Sequence, residues 1–164
     1  MNKQKKYEFT GEIKVVFGIN FKQIRAIINF GCVVAGEIGG WIECEENLSQ
    51  SGDAWVSGNA MVYGNAMVYG NAEVFGDAEV SGNAEVKKDD DYMVIGGAGR
   101  YNRFTTFFKC RDKTIKVICG CFFGTIIEFR AKVKETHNGN KHEKVYLAMA
   151  DMAELQIGND EVKK

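Results

Sequence analysis

Three groups of residues have types and spacings that could do chemistry. The first is Gly96-Gly97-Ala98-Gly99-Arg100 with Asn102, Arg103, Thr105 and Thr106, read beside Gly124-Thr125. Glycines let main-chain N–H groups approach an anion closely, and arginine offers paired hydrogen bonds to phosphate. A helix starting just after Thr125 would add a favourable dipole. Gly97, Gly99, Arg100, Asn102, Arg103, Thr105 and Thr125 are therefore the candidate residues for a small anionic, nucleotide-type ligand. They match neither GxxxxGK(S/T) nor a GxGxxG opening a helix. A structural turn carrying solvated arginines accounts for the same residues without a ligand.

The second group is the thiols. Cys119-Gly-Cys121 places two on one side of a strand, with Cys110 across a hairpin. Zinc is normally held by four ligands in pairs separated by two to four residues. One intervening residue and no second pair read as structural thiols, so no metal is expected. The third group is His137 and His142, the only two histidines. Both fall in a helical tail and read as helix-end surface residues. No catalytic residue and no cofactor is expected.

The elements that must position these residues begin with a repeat. From Gly52 the chain runs GDAWVS, GNAMVY, GNAMVY, GNAEVF, GDAEVS, GNAEVK. A period of six is the mark of a parallel β-helix. Ala and Val two apart share one face of a strand, and Gly-Asn or Gly-Asp supplies a corner. An amphipathic helix fails, because glycine every sixth residue would cost about 1 kcal/mol each. The preceding VVAGEIGGWIECEENLSQS reads as a degenerate first coil, with Ile38, Trp41, Ile42 and Leu48 as its apolar positions. Trp55, Met61, Tyr63, Met67, Tyr69 and Phe75 point outward as an apolar patch that needs cover. Either the chain's own ends cover it or a second copy does, and a homo-oligomer is expected, trimer first and dimer second.

The flanks read as two small caps. Glu12–Phe17 and Phe21–Ile28 alternate as two strands around Gly18-Ile19-Asn20. After a polar break at Lys87–Asp91 come a strand at Tyr92–Ile95, a flexible loop at Gly96–Gly99 and a hairpin of Phe104–Lys109 with Thr114–Cys119. Thr125 with Glu128 has capping-box spacing, which starts a helix at Ile126 that ends at Asn138-Gly139. A second helix follows Asn140 to about Leu155, with Val145, Ala148, Met149, Met152 and Leu155 as its buried stripe. The expected fold is mainly β: a short left-handed parallel β-helix at 35–88, an amino-terminal β-hairpin cap at 1–34 and a ββαα cap at 89–164.

Composition bounds the function. The 164 residues are 45% apolar and 26% charged, with no proline, enough for a core and unlike a disordered chain. The amino end has no apolar signal-like stretch, and the longest weakly polar run, Val117–Ile127, is too short to span a bilayer. Five cysteines without a secretory signal read as reduced thiols in a cytoplasm. The net charge of -1 hides segregation: +4 over residues 1–34, -10 over 35–99 and +5 over 100–164. The acidic middle argues against nucleic-acid binding. Opposite charges on one chain can equally attract each other or a neighbouring subunit.

The run NFGCVVAGEIGGWIECEENLSQSGDAWVSGNAMVYGNA and the closing CGCFFGTIIEFRAKVKETHNGNKHEKVYLAMADMA resemble a family of small hexapeptide-repeat proteins of phages, prophages and gut Firmicutes. The resemblance covers nearly the whole chain. It implies the β-helix fold, a phage-type origin and the cytoplasm of a bacterial host, and it transfers no catalytic residue. The function expected is a non-enzymatic oligomeric binding protein that antagonises host defence by sequestering a phosphate-bearing, nucleotide-type signal. The alternatives are a structural or assembly module, an inhibitor of a host protein, and a divergent hexapeptide acyltransferase. The last lacks a histidine on the repeat to act as base.

Overall fold

The computed structural model describes residues 4–158. The chain divides into two compact units, Met1–Asp89 and Asp90–Lys164, so the amino-terminal strands and the repeat belong to one unit.

In the first unit, β1 (Tyr7–Val16) and β2 (Ile19–Ala26) form an antiparallel hairpin. Its turn is Phe17-Gly18, one step earlier than the sequence suggests, with φ of 52° and 77°. Two consecutive positive φ values match the right-handed twist of a two-residue hairpin. β2 continues antiparallel to β3 (Ile38–Ile42). The hexads then supply six two-residue strands: β4 (Trp55–Val56), β5 (Met61–Val62), β6 (Met67–Val68), β7 (Glu73–Val74), β8 (Glu79–Val80) and β9 (Glu85–Val86). β4 pairs in parallel with β7, β5 with β8 and β6 with β9, each eighteen residues on, as in Trp55 with Glu73. The Ala and Val of every hexad are at most 1% exposed.

The expected fold class is corrected here. The strands fall into four small sheets: one mixed (β1-β2-β3-β5-β8), one antiparallel and two of only two strands. They make no closed or solenoid sheet, and a parallel β-helix is not the architecture. Each hexad glycine sits at a φ between 62° and 74°, which ends its strand after two residues, and the hairpin is part of the largest sheet rather than a separate cap. The degenerate segment also departs from the period. Trp41 pairs with Met61 and Leu48 bridges Val68, twenty residues on, with a 3-10 turn at Glu45–Asn47. Ile42 and Leu48 are buried as expected, while Ile38 is exposed.

The Ala and Val carbonyls of later hexads accept from N–H groups of earlier ones, as in Trp55 N–H to Ala72 O and Met61 N–H to Ala78 O. The carbonyls of the first hexads therefore need donors from elsewhere. Trp41, Glu43 and Ser49 supply N–H groups to Ala60, Val62 and Val68. The Asn47 side-chain amide donates to Gly64 O (3.1 Å) and Ala66 O (2.9 Å). Lys6 Nζ donates to Ala54 O (2.6 Å) and Gly52 O (3.2 Å), and lies 4.8 Å from the Phe30 ring centre. Tyr7 and Phe30 cover Trp55, and Phe21 packs edge-on against Tyr63. Trp55 is thus buried by its own chain and presents no outward interface, which corrects its assignment to the oligomer patch. Met61, Tyr63 and Tyr69 are half-buried, and only Met67 and Phe75 remain exposed.

The second unit has four antiparallel strands rather than the expected three: β10 (Tyr92–Ala98), β11 (Arg103–Lys109), β12 (Ile115–Cys119) and β13 (Phe122–Thr125), in that order. Its tail is ββββαα, not ββαα. The added strand β13 carried no signal because Phe122-Phe123-Gly124 follows Cys119 after only a two-residue turn. Gly96–Ala98 belong to β10, not to a flexible loop. α1 (Ile126–His137) starts at the Thr125 capping box and ends at Asn138, whose φ is 38°. α2 (Lys141–Ile157) is capped by Asn140 Oδ1, which accepts from His142 and Glu143 N–H. Its buried face is Tyr146, Met149, Ala150, Ala153 and Ile157, while Met152 and Leu155 are exposed. The expected stripe was one position out of phase, because Tyr146 was not counted as a core residue. Among the described residues no helix is long and apolar enough to cross a membrane.

Lys6 and Tyr7 give this fold a pH signature. Burial lowers the Lys6 ammonium to about 8, opposed by Asp53, while burial and then Glu45 push the Tyr7 phenol upward. Below pH 8 Lys6 is charged in both states and the folded state bears its burial. Between pH 8 and 10 the folded chain gives up that proton before the unfolded chain does, so stability should rise, by on the order of 2 kcal/mol. Above the ordinary tyrosine value the unfolded chain ionises first, and stability should fall. Denaturant titrations across this range should trace a maximum near pH 10, from the values above. Lys6→Met should flatten its rising limb and Tyr7→Phe its falling limb.

Candidate anion-binding site

The β10–β11 hairpin closes through Gly99-Arg100-Tyr101-Asn102, with Asn102 N–H donating to Gly99 O at 3.3 Å and Asn102 at a φ of 53°. Arg100 and Tyr101 therefore stand at the tip, and Arg103 opens β11. A side chain at Gly99, whose φ is 72°, would run into the Tyr146 hydroxyl, so its absence lets the hairpin tip come against α2. The Arg103 guanidinium lies across Gly120 in the same way, and 4.9 Å from the Tyr101 ring centre. Arg100 is 5.8 Å from that ring. Two cations thus hold one exposed aromatic ring at the mouth of a cavity of about 450 Å³, within the range of small-molecule sites.

The cavity has a layered lining. Phe129, Val133 and Tyr146 are buried and form its floor; Phe122, Cys119, His137 and His142 are half-buried. Arg100, Arg103, Lys132 and Tyr101 are exposed at its rim. The floor is an aromatic cluster. Phe129 meets Tyr146 edge-on at 5.9 Å and Phe122 at 5.5 Å, and His137 stacks on Tyr146 at 5.4 Å with 26° between planes. Thr105 Oγ1 donates to Cys119 Sγ at 3.2 Å. Burial pushes the Tyr146 phenol up, reinforced by the neighbouring Cys119 thiol, so the phenol remains a neutral donor at pH 7. Among the described residues no Asp or Glu lines this cavity, in a chain with 22 of them. Lys132 reaches Glu135 at 3.1 Å on the outer surface.

Of the residues singled out from sequence, Arg100 and Arg103 line the cavity. Gly97 and Gly99 shape the hairpin, with Gly97 at a φ of 74° beside Asn102 Oδ1. Thr105 is fully buried and reaches the site only through Cys119. Thr125 is elsewhere, and the helix start it caps is already occupied. Its N–H donates to Glu128 Oε2 at 2.7 Å and its hydroxyl accepts from Glu128 N–H at 3.2 Å. The bonds from Thr125 hold the Glu128 carboxyl below its usual range, and Thr125 does not line the cavity.

Both histidines sit at helix ends as expected, but they are half-buried rather than on the surface: their rings lie 5.7 Å apart and both line the cavity. The signal was present in spacing. Phe129, Val133 and His137 are four residues apart on α1, as are His142 and Tyr146 on α2, so each set shares one helix face. All five cysteines are free, and among the described residues no group of three or more metal-ligating side chains forms. No protein-family model matches the chain, and no curated protein matches it.

Gly99→Ala should destabilise this unit by about 1–3 kcal/mol, from the forced positive φ and the clash with Tyr146. The cost should shrink when Tyr146→Phe removes the hydroxyl. Gly97→Ala, whose Cβ would meet only Asn102 Oδ1 at 3.3 Å, should cost less. Thermal denaturation of the four variants checks the order.

Proposed function

We propose that the carboxy-terminal unit captures a small phosphate-bearing, ring-containing ligand of nucleotide type and holds it without converting it. The observation that carries this reading is the cavity lining: two arginines, two imidazoles and four aromatic rings, with no carboxylate among the described residues. A cavity with one sign of charge and apolar walls concentrates ligands of the opposite sign. Guanidinium groups at its mouth suit phosphate oxygens better than a carboxamide or a sugar hydroxyl. The aromatic rings suit a planar heterocycle.

On this reading the cavity admits a small anion, and the protein acts as a sink. A phage-type chain would use such a sink to lower the free concentration of a host nucleotide signal. Self-association through Met67 and Phe75, the outward residues that stay exposed, would add sites per particle without altering each one.

The test is calorimetry of a panel of mono-, di- and cyclic nucleotides, with the ligand recovered and checked by chromatography. Binding with unchanged ligand supports the proposal. Charge-assisted hydrogen bonds contribute roughly 1.5–3 kcal/mol each, so Arg100→Ala with Arg103→Ala should weaken binding at least about a hundredfold. Absence of binding below about millimolar, an affinity of only ~4 kcal/mol, would sink it, as would recovery of a hydrolysed ligand.

A further inference from the structure

The cations and the apolar surface of the cavity are at different depths. Arg100, Arg103 and Lys132 are exposed at the rim, while Phe129, Val133 and Tyr146 are buried at the floor. Stripping water from a phosphate costs far more than stripping it from a flat heterocycle. An aromatic floor returns stacking and edge contacts to a ring and offers nothing to an anion.

Accepting the capture reading, we propose that the ligand enters ring first. The planar base of a nucleoside phosphate sits on the Phe129–Tyr146 floor, and its phosphate stays at the rim between Arg100 and Arg103. The opposite orientation would leave two guanidinium groups facing an uncharged ring and put the phosphate among phenylalanines. Two groups at the floor can bond the edge of a base: the Tyr146 hydroxyl, and the thiol of Cys119, which already accepts from Thr105. His137, stacked on Tyr146, completes the wall along which the ring slides.

Cys119 is also the reporter that tests this orientation, because it lies below the rim. The unmodified protein would be alkylated with iodoacetamide and each cysteine's rate followed by peptide mass mapping. Cys32 and Cys121 are exposed away from the cavity lining and serve as internal references. At ligand ten times its dissociation constant only about a tenth of the protein is free, so a seated base should slow Cys119 about tenfold. Adenosine and guanosine monophosphate should give this protection, leaving Cys32 and Cys121 unchanged. Inorganic phosphate, held at the rim, should leave Cys119 reactive.

Equal protection by inorganic phosphate would overturn the ring-first orientation while leaving capture intact. So would nucleotide binding by calorimetry with Cys119 unprotected, or phosphate binding with no gain from the base. Failure of both phosphate and nucleotides to bind would remove the capture reading itself, and this inference with it.

Discussion

The carbonyls of the first hexads, from Gly52 to Val68, have no earlier hexad to donate to them, and the first unit is organised around that lack. A buried carbonyl without a donor costs on the order of 1–3 kcal/mol, and a row of them would outweigh the burial of the small Ala and Val side chains. The segment 41–49 supplies N–H groups where it can run alongside. Where the chain turns at Glu45–Asn47, Asn47 substitutes its side-chain amide, and its Oδ1 accepts the Cys44 N–H in return. At the remaining stretch the donor is an ammonium, Lys6. Placing a cation there fixes the path of β1, which brings Tyr7 against Trp55 and carries β2 and Phe21 over Tyr63. The hairpin is therefore a donor and a cover at once.

The second unit meets the same obligation with helix caps. Thr125 and Glu128 cap the start of α1, and Asn140 Oδ1 accepts from His142 and Glu143 N–H at the start of α2. The Arg100 and Arg103 guanidinium groups stand beside an aromatic recess, set in place by two glycines, while the Lys132 ammonium is paired with Glu135. Gly99 lets the hairpin tip approach Tyr146, and Gly120 lets Arg103 lie flat. The site depends on small residues where two elements must touch.

Much of this was legible in the sequence, for physical reasons. The six-residue period made the buried Ala and Val legible, since side-chain alternation on a strand has only two faces. Capping chemistry at Thr125, Asn138 and Asn140 is local, and it placed both helices. The global architecture was not legible, because sheet membership depends on which distant strand supplies a donor, and Lys6 or Asn47 looks like any surface residue in sequence. The site was half legible. Arg100 and Arg103 announced themselves by type, whereas Tyr146, His137 and His142 depended on how α1 and α2 face one another. Thr125 was misplaced because a capping box and an anion-binding helix start share the same residues, and only the position of Glu128 separates them.

On the capture reading, the aromatic-floored cavity of the second unit, which no described Asp or Glu lines, is the working part of this protein. The most direct measurement is a two-dimensional NMR titration of isotope-labelled protein with a nucleoside monophosphate, following main-chain amides and the two histidine rings. On that reading saturable shifts are expected, confined to the Gly99–Arg103 tip, Cys119, and the facing sides of α1 and α2, with both imidazoles perturbed and the hexads of residues 52–87 silent. Shifts concentrated along the hexads, or none at millimolar ligand, would contradict it.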